Sequence, residues 1–260
     1  MSRVAAVFER LRTPRRPAFM PFIVAGDPDL ATTARVVETL AEAGADLLEL
    51  GVPFSDPVAD GPTNQRAYQR AIAGGATLPR ILEFVAGLRG RIALPIVLLS
   101  YYNPLLRYGL DRFAADAARA GVDGIVVPDL PPDEGDALIA AARPAALDTI
   151  FMVAPTSTDA RIRLVAQRAT GFIYGVSLTG VTGARDRLAA DLGGLVGRIR
   201  ACTALPICVG FGVSTPEQAR EVGRLADGVI VGSAIVDLLQ RADGLARLRE
   251  LATALREALP

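Results

Sequence analysis

Eight short apolar runs recur along the chain, at residues 19–25, 47–52, 96–101, 124–129, 149–154, 172–177, 206–210 and 228–232, and helical patterns separate them. The runs are apolar nearly throughout rather than alternating, as in strands buried on both faces of a parallel sheet. Helix candidates between them lie at 30–43, 111–120, 134–142, 159–169, 192–201, 216–225 and 246–259, and the longer second connection holds two pieces, 64–73 and 78–88. A junction also recurs, with Ala43-Gly44-Ala45-Asp46, Ala120-Gly121-Val122-Asp123 and Leu225-Ala226-Asp227-Gly228 each standing between a helix and the next run. Glycine ends a helix cheaply there. Eight βα units in 260 residues predict an α/β fold, a (β/α)8 TIM barrel forming one domain over residues 1–260, with an extra N-terminal helix at about 4–11 capping the bottom. An open doubly wound sheet is the rival. Ala25-Gly26-Asp27-Pro28 stands after the first run in place of a Gly-x-Gly-x-x-Gly fingerprint and counts against it.

Glu49 interrupts the second run between Leu47, Leu48 and Leu50. Burial without a partner raises a carboxylate's pKa toward neutrality, so such a residue is either paired with a buried Arg or functional. In a barrel it falls at the C-terminal end of the second strand, where active sites are built. The Gly/Pro loop that follows carries Asp56 and Asp60, each of which, taken alone, reads as an ordinary turn residue. Two more loops matter. Gly210-Phe211-Gly212 and Gly232-Ser233-Ala234 follow the last two runs just before helices, where backbone N–H groups come close to an anion. Tight βα turns are the plainer reading, but barrels so often bind phosphate there that a phosphorylated substrate is expected. After the sixth run, residues 177–185 form a polar, Gly-hinged stretch that either closes over a substrate or is a plain surface loop. Tyr174 points into the barrel mouth or fills its core.

The residues missing from the chain narrow the chemistry. It has no Lys and no His, so Arg supplies all 28 positive charges against 28 acids. Without Lys there is no Schiff base with a carbonyl or with pyridoxal phosphate. Without His the usual ligands of a catalytic zinc and the base of a Ser-His-Asp triad are missing. A carbon–carbon cleavage here needs a substrate that is its own electron sink. A net charge of zero gives no electrostatic argument for nucleic acid or an anionic membrane. Cys202 and Cys208 have neither metal-ligand nor redox spacing, no run is long enough to span a bilayer, and residues 1–16 lack a secretion core. A cytoplasmic location with free thiols is expected.

These residues resemble the tryptophan synthase alpha chain family over almost the whole length. The resemblance is carried by Leu48-Glu49-Leu50-Gly51-Val52-Pro53-Phe54-Ser55-Asp56-Pro57-Val58-Ala59-Asp60-Gly61-Pro62-Thr63 above all. Further matches are residues 21–28, Tyr102-Asn103-Pro104, Pro128-Asp129-Leu130-Pro131, Gly180-Val181-Thr182-Gly183, Gly210-Phe211-Gly212 and residues 232–236. It implies a retro-aldol cleavage of indole-3-glycerol phosphate to indole and glyceraldehyde 3-phosphate. It implies Glu49 as general acid/base and Asp60 as the group that holds the indole N–H. It implies an apolar slot of Phe22, Leu99, Val126, Pro128, Met152 and Tyr174. Phosphate contacts are implied for Gly183, Gly212, Gly232 and Ser233, with Thr182 closing over the site. The family also implies a tryptophan synthase beta chain as partner in an alpha2beta2 tetramer, docked near residues 53–60 and 102–104. No cofactor is implied in this chain, and pyridoxal phosphate belongs to the beta partner. Alternatives are a stand-alone lyase that releases free indole, and a weakly active barrel that mainly activates a beta chain. Two departures are Asn64, where the family usually has an apolar residue, and Tyr68, bulkier than the small polar residue expected; neither is expected to touch the two acids.

Overall fold

The computed structural model describes residues 1–176, 185–210 and 212–260. Among these, nine parallel strands form one sheet: β1 (Ala18–Val24), β2 (Leu48–Gly51), β3 (Ile96–Leu99), β4 (Gly124–Val126), β5 (Asp148–Ile150), β6 (Met152–Val153), β7 (Ile173–Val176), β8 (Ile207–Gly210) and β9 (Gly228–Val231). The spatial order is β5-β4-β3-β2-β1-β9-β8-β7-β6. Its two ends, β5 and β6, are consecutive in the chain and separated only by Phe151, whose carbonyl accepts the N–H of Tyr174 at 3.1 Å. They are the two halves of the single run expected at 149–154, so eight barrel staves close into the (β/α)8 barrel through that residue. The break follows from pairing: β5 ladders onto β4, and β6 onto β7.

Alternate residues of each strand face opposite ways. One set, including Met20, Phe22, Val97, Leu99, Val126, Phe172, Tyr174, Cys208 and Ile230, fills the interior. The other, including Phe19, Ile23, Leu48, Leu50, Leu98, Ile173, Val209 and Val231, packs outward against the helices. Burial on both faces is why the strands read as unbroken apolar runs.

The helices are α1 (Arg3–Arg12), α2 (Leu30–Glu42), α3 (Pro62–Ala73), α4 (Leu78–Leu88), α5 (Tyr102–Tyr108), α6 (Leu110–Ala120), α7 (Asp136–Ala142), α8 (Asp159–Arg168), α9 (Arg185–Arg200), α10 (Pro216–Gly223), α11 (Ser233–Leu238) and α12 (Gly244–Ala258). The amphipathic α1 buries Val4, Val7, Phe8 and Leu11 in the interior cluster, with the Phe8 ring 6.1 Å from that of Phe172, and so plugs the bottom as expected. Two short helices, α5 and α11, lie outside the expected set, and α9 starts at Arg185 rather than near 192. No single helix among the described residues is long and apolar enough to cross a membrane.

The recurring junction does more than stop helices. Each of its aspartates stands at the foot of a strand and grips the neighbouring one. Asp46 accepts from the Phe19 N–H at 3.0 Å, Asp123 from Ile96 at 2.7 Å and Asp227 from Ile207 at 2.9 Å. In return the three aspartate N–H groups donate to the carbonyls of Phe19, Ile96 and Ile207. Arginines neutralise these carboxylates, the buried Asp46 and Asp123 and the half-buried Asp227: Arg16 and Arg10 at Asp46, Arg89 and Arg3 at Asp123, and Arg200 at Asp227. The bottom of the barrel is therefore tied by charge-assisted bonds, and the top is left to the loops.

Candidate active site

A cavity of about 270 Å³ opens at the C-terminal ends of the strands. Its floor comes from the barrel interior: Phe22 on β1, Glu49 on β2, Leu99 on β3, Tyr174 on β7 and Ile230 on β9. Its rim comes from residues 60–64 together with Gly212, Gly232 and Ser233. Parallel register puts Phe22 and Val97 on either side of Glu49. Gly51, the last residue of β2, is required by close approach. A Cβ there would lie 2.9 Å from the Phe22 ring and 3.1 Å from Tyr68. Only glycine lets those two rings seat against the strand end.

Glu49 is 1% exposed, and its Oε1 has no hydrogen-bond partner among the described residues. The expected alternative of a buried Arg partner does not hold among the described residues, because Glu49 is in no ion pair there. Burial first, and then the negative charge of Asp60, push its pKa from 4.5 up to about 8. The carboxyl is therefore mostly protonated at neutral pH and able both to give and to take a proton.

Asp60 reaches the same cavity from the loop after β2. Its Oδ2 accepts from the Tyr101 hydroxyl at 2.6 Å and its Oδ1 from the Asn64 amide at 3.1 Å. Tyr101 in turn accepts the Ala59 N–H at 3.0 Å and stacks on Phe54, ring centroids 5.2 Å apart. One phenol thus ties the loop to the end of β3. Burial raises the Asp60 pKa, and the bonds from Tyr101 and Asn64 pull it back down, leaving it above the ordinary value. The same carboxylate and burial hold the Tyr101 hydroxyl protonated far above its usual range. Asn64 therefore does touch one of the acids, against expectation. Helix α3 begins at Pro62, which brings residue 64 back over Asp60 one turn later.

Of the other residues singled out in the sequence, Phe22, Leu99, Tyr174, Gly212, Gly232 and Ser233 come together around Glu49 and Asp60. Val126 is buried in the barrel interior and half-buried Met152 packs against it, but neither lines this cavity, nor does half-buried Pro128 beyond the end of β4. Thr182 and Gly183, with the rest of 177–184, lie outside the described residues, as does Phe211. Gly212 has φ +87°, a conformation that suits glycine, and Gly232 caps α11 with its carbonyl accepting from Ile235 at 2.8 Å and Val236 at 3.1 Å. Asp56 is exposed, takes the Ser55 hydroxyl, and lines a separate groove with Val58, Gln65 and Arg66. Sequence reasoning missed Tyr101 and Asn64 as partners of Asp60. Tyr101 closes the third apolar run and is the one signal that was available. Among the described residues no cluster of three or more His, Cys, Asp or Glu side chains forms a metal site, and Cys202 and Cys208 are free thiols.

Comparison with known proteins agrees over the whole length. The family model described as tryptophan synthase alpha chain matches residues 8–258. A tryptophan synthase alpha chain of Geobacter sulfurreducens is 54% identical over 262 residues, covering 100% of this chain and 99% of that one. That of Gloeobacter violaceus is 52% identical, with 98% and 93% covered. Among solved structures, tryptophan synthase subunit alpha from Legionella pneumophila superposes with a TM-score of 0.92 at 37% identity, covering 99% of this chain and 98% of that one. Tryptophan synthase from Mycobacterium tuberculosis in its aminoacrylate-bound form gives 0.91 at 38% identity, with both chains fully covered.

Proposed function

The chain belongs to the tryptophan synthase alpha chain family, and on that premise we propose that it is the lyase that splits indole-3-glycerol phosphate into indole and glyceraldehyde 3-phosphate. The observation that carries this reading is Glu49, a carboxyl in an apolar barrel interior with no partner for Oε1 among the described residues and a pKa raised to about 8. The carbon–carbon bond leaves its electrons in the indole ring only after the ring is protonated at C3. Glu49 in its neutral form supplies that proton. As carboxylate it then takes the proton of the side-chain hydroxyl, whose oxygen becomes the aldehyde carbonyl as the bond to C3 breaks. The bond pair neutralises the iminium-like ring, the added proton stays on C3 as the C3–H of the released indole, and Glu49 ends protonated as it began. Asp60 faces the positive charge that develops at the ring nitrogen and accepts its N–H. Both oxygens of Asp60 already take one donor each, which sets the plane of the carboxylate and leaves further lone pairs for the ring. Phe22, Leu99 and Tyr174 give the ring an apolar slot, with Val126, Pro128 and Met152 behind it, and Gly212, Gly232 and Ser233 offer backbone N–H groups to the phosphate.

The beta chain is the partner this reading carries, in an alpha2beta2 assembly that passes indole to a pyridoxal phosphate site. That cofactor stays in the partner, since this chain has no Lys to bind it. The exposed Val58, 81% accessible on the loop that also bears Asp60, fits a docking contact that orders the catalytic loop. The test is to supply indole-3-glycerol phosphate to the purified chain with and without a beta chain and to follow indole. Glu49→Gln is expected to lose about 10²–10⁴-fold in turnover while substrate still binds. Binding can be followed by ligand fluorescence, since the chain has no Trp. Wild-type-like turnover in that variant removes the assigned role.

A further inference from the structure

The segment Ala25-Gly26-Asp27-Pro28 follows β1 and has no part in the site described above, yet its aspartate binds two elements that do. Asp27 is buried and accepts three donor atoms from two side chains. Arg70, in the last turn of α3, forks onto it, Nε to Oδ1 and Nη2 to Oδ2, both at 2.8 Å. Gln240, two residues past the end of α11, donates its amide to Oδ2 at 3.1 Å. The loop is packed closely enough to hold that carboxylate in place. A Cβ on Gly26, whose φ is +85°, would stand 2.7 Å from that of Ala76, and the Gly26 N–H donates to the Thr33 hydroxyl at 3.0 Å. The far ends of the two helices carry the cavity. Asp60 stands two residues before α3, and Gly232 and Ser233 open α11, and all three residues line it. The helices pack against each other, and an Arg–carboxylate fork fixes direction as well as distance.

We propose that Asp27 is a positioning residue that sets the separation between the Asp60 wall of the cavity and its Gly232–Ser233 wall, acting through Arg70 on α3 and Gln240 behind α11. The inference rests on the reading above, in which the indole lies toward Asp60 and the phosphate toward Gly232 and Ser233. A substrate that spans both walls gains from a fixed separation, because its second contact is already in place once the first is made. A ligand that touches one wall gains nothing from it. A tie that only stabilised the fold would treat both kinds of ligand alike.

The experiment compares Asp27→Asn, Arg70→Lys and Gln240→Ala with the wild-type chain. Arg70→Lys keeps the charge and loses the fork. Gln240→Ala removes only an exposed amide, and so carries the test should Asp27→Asn not fold. Binding is measured for inorganic phosphate, for indole and for indole-3-propyl phosphate, which reaches both walls and lacks the hydroxyls needed for cleavage. Affinity for the spanning probe is expected to fall about tenfold in Asp27→Asn and Arg70→Lys and about threefold in Gln240→Ala, while that for phosphate or indole alone changes less than about twofold. The kcat/KM for indole-3-glycerol phosphate should follow the spanning probe. In the ligand-free protein the Ser233 amide resonance is expected to move in Arg70→Lys, and that of Asn64 in Gln240→Ala, each across the tie. Equal losses for all three probes overturn the proposal, as does an unchanged affinity for the spanning one or a pair of cross-tie resonances that stay put. If the wild-type chain neither cleaves indole-3-glycerol phosphate nor binds the spanning probe, the reading of the site fails, while the ligand-free resonances still decide whether Asp27 couples the two walls.

Discussion

The buried Glu49 carboxyl, given the proton transfers in the reading proposed above, also carries a stability cost. Its folded pKa of about 8 lies above the ordinary 4.5, so the fold holds the proton more tightly than the unfolded chain does. Stability therefore falls as pH rises through the window from 4.5 to about 8, because the folded state must either keep the proton against a rising cost or bury a charge. Glu49→Gln removes that penalty. Its stability advantage over the wild type should be small near pH 4.5 and grow to the order of a few kcal/mol by pH 9. Paired denaturant titrations at the two pH values check this, and a difference independent of pH would mean Glu49 is not buried neutral. Gly51 makes a steric prediction at the same site. Gly51→Ala pushes Phe22 and Tyr68 off the strand end and should cut turnover more than it cuts stability, since the Phe22 ring, nearest the added methyl, has the cavity to move into. Activity per folded molecule is the measurement; an unaffected value would show that the rings do not shape the slot. Glu49 was legible from sequence because a carboxylate inside an apolar run has few innocent explanations. Asn64 was not, because its contact with Asp60 depends on where α3 begins, and a loop of glycines and prolines does not announce that.

At the level of elements, the eight strands were legible because parallel strands buried on both faces have no polar side to blur the run. The interruption at Phe151 was not legible. It arises from pairing with β4 on one side and β7 on the other, which is set by partners more than twenty residues away. Helices α5 and α11 were missed for a different reason: seven and six residues give too few turns for a 3.6-residue period to show. The aspartate junctions were visible as a repeat, but their work became clear only with the neighbouring strand in place. The split stave has a dynamic consequence. With three residues in β5 and two in β6, it holds fewer ladder bonds than β1, which runs seven residues and is buried along its length. Amide hydrogens at 149–153 should exchange measurably faster under native conditions than those at 19–23. Equal protection at the two staves would mean that the barrel opens only as a whole.

Across the whole molecule the two ends of the barrel differ in how their carboxylates meet arginine: ion pairs hold Asp46, Asp123 and Asp227 at the bottom, and none holds Glu49 or Asp60 at the top among the described residues. At the bottom, Asp123 is buried and satisfied, taking the Ile96 N–H and the Arg89 guanidinium, each at 2.7 Å, while Asp148 at the foot of β5 keeps one buried oxygen without a partner among the described residues. At the top, the buried Glu49 carboxyl has no partner on one oxygen among the described residues, and the loop after β2 is held by uncharged phenol and amide donors from Tyr101, Asn64, Gln65 and Gln69. A carboxylate paired with arginine is held ionised and fixed, and one raised by burial beside an open cavity can exchange a proton with a ligand, so stability and reactivity should separate by position along the barrel axis. Asp123→Ala tests one end. It strands the half-buried Arg89, whose charge burial already disfavours and Asp123 supports, and it removes an acceptor from β3. A loss of about 3–5 kcal/mol is expected, with kcat of the remaining folded protein unchanged because no bottom residue reaches the cavity. Glu49→Gln tests the other end and should do the reverse, cutting turnover by about 10²–10⁴-fold while holding or raising stability above neutral pH. Measuring both quantities on both variants makes the claim a crossed one. A fall in kcat for folded Asp123→Ala would show that strain at the bottom is transmitted through the strands to Glu49, and the division of labour along the barrel axis would then be wrong.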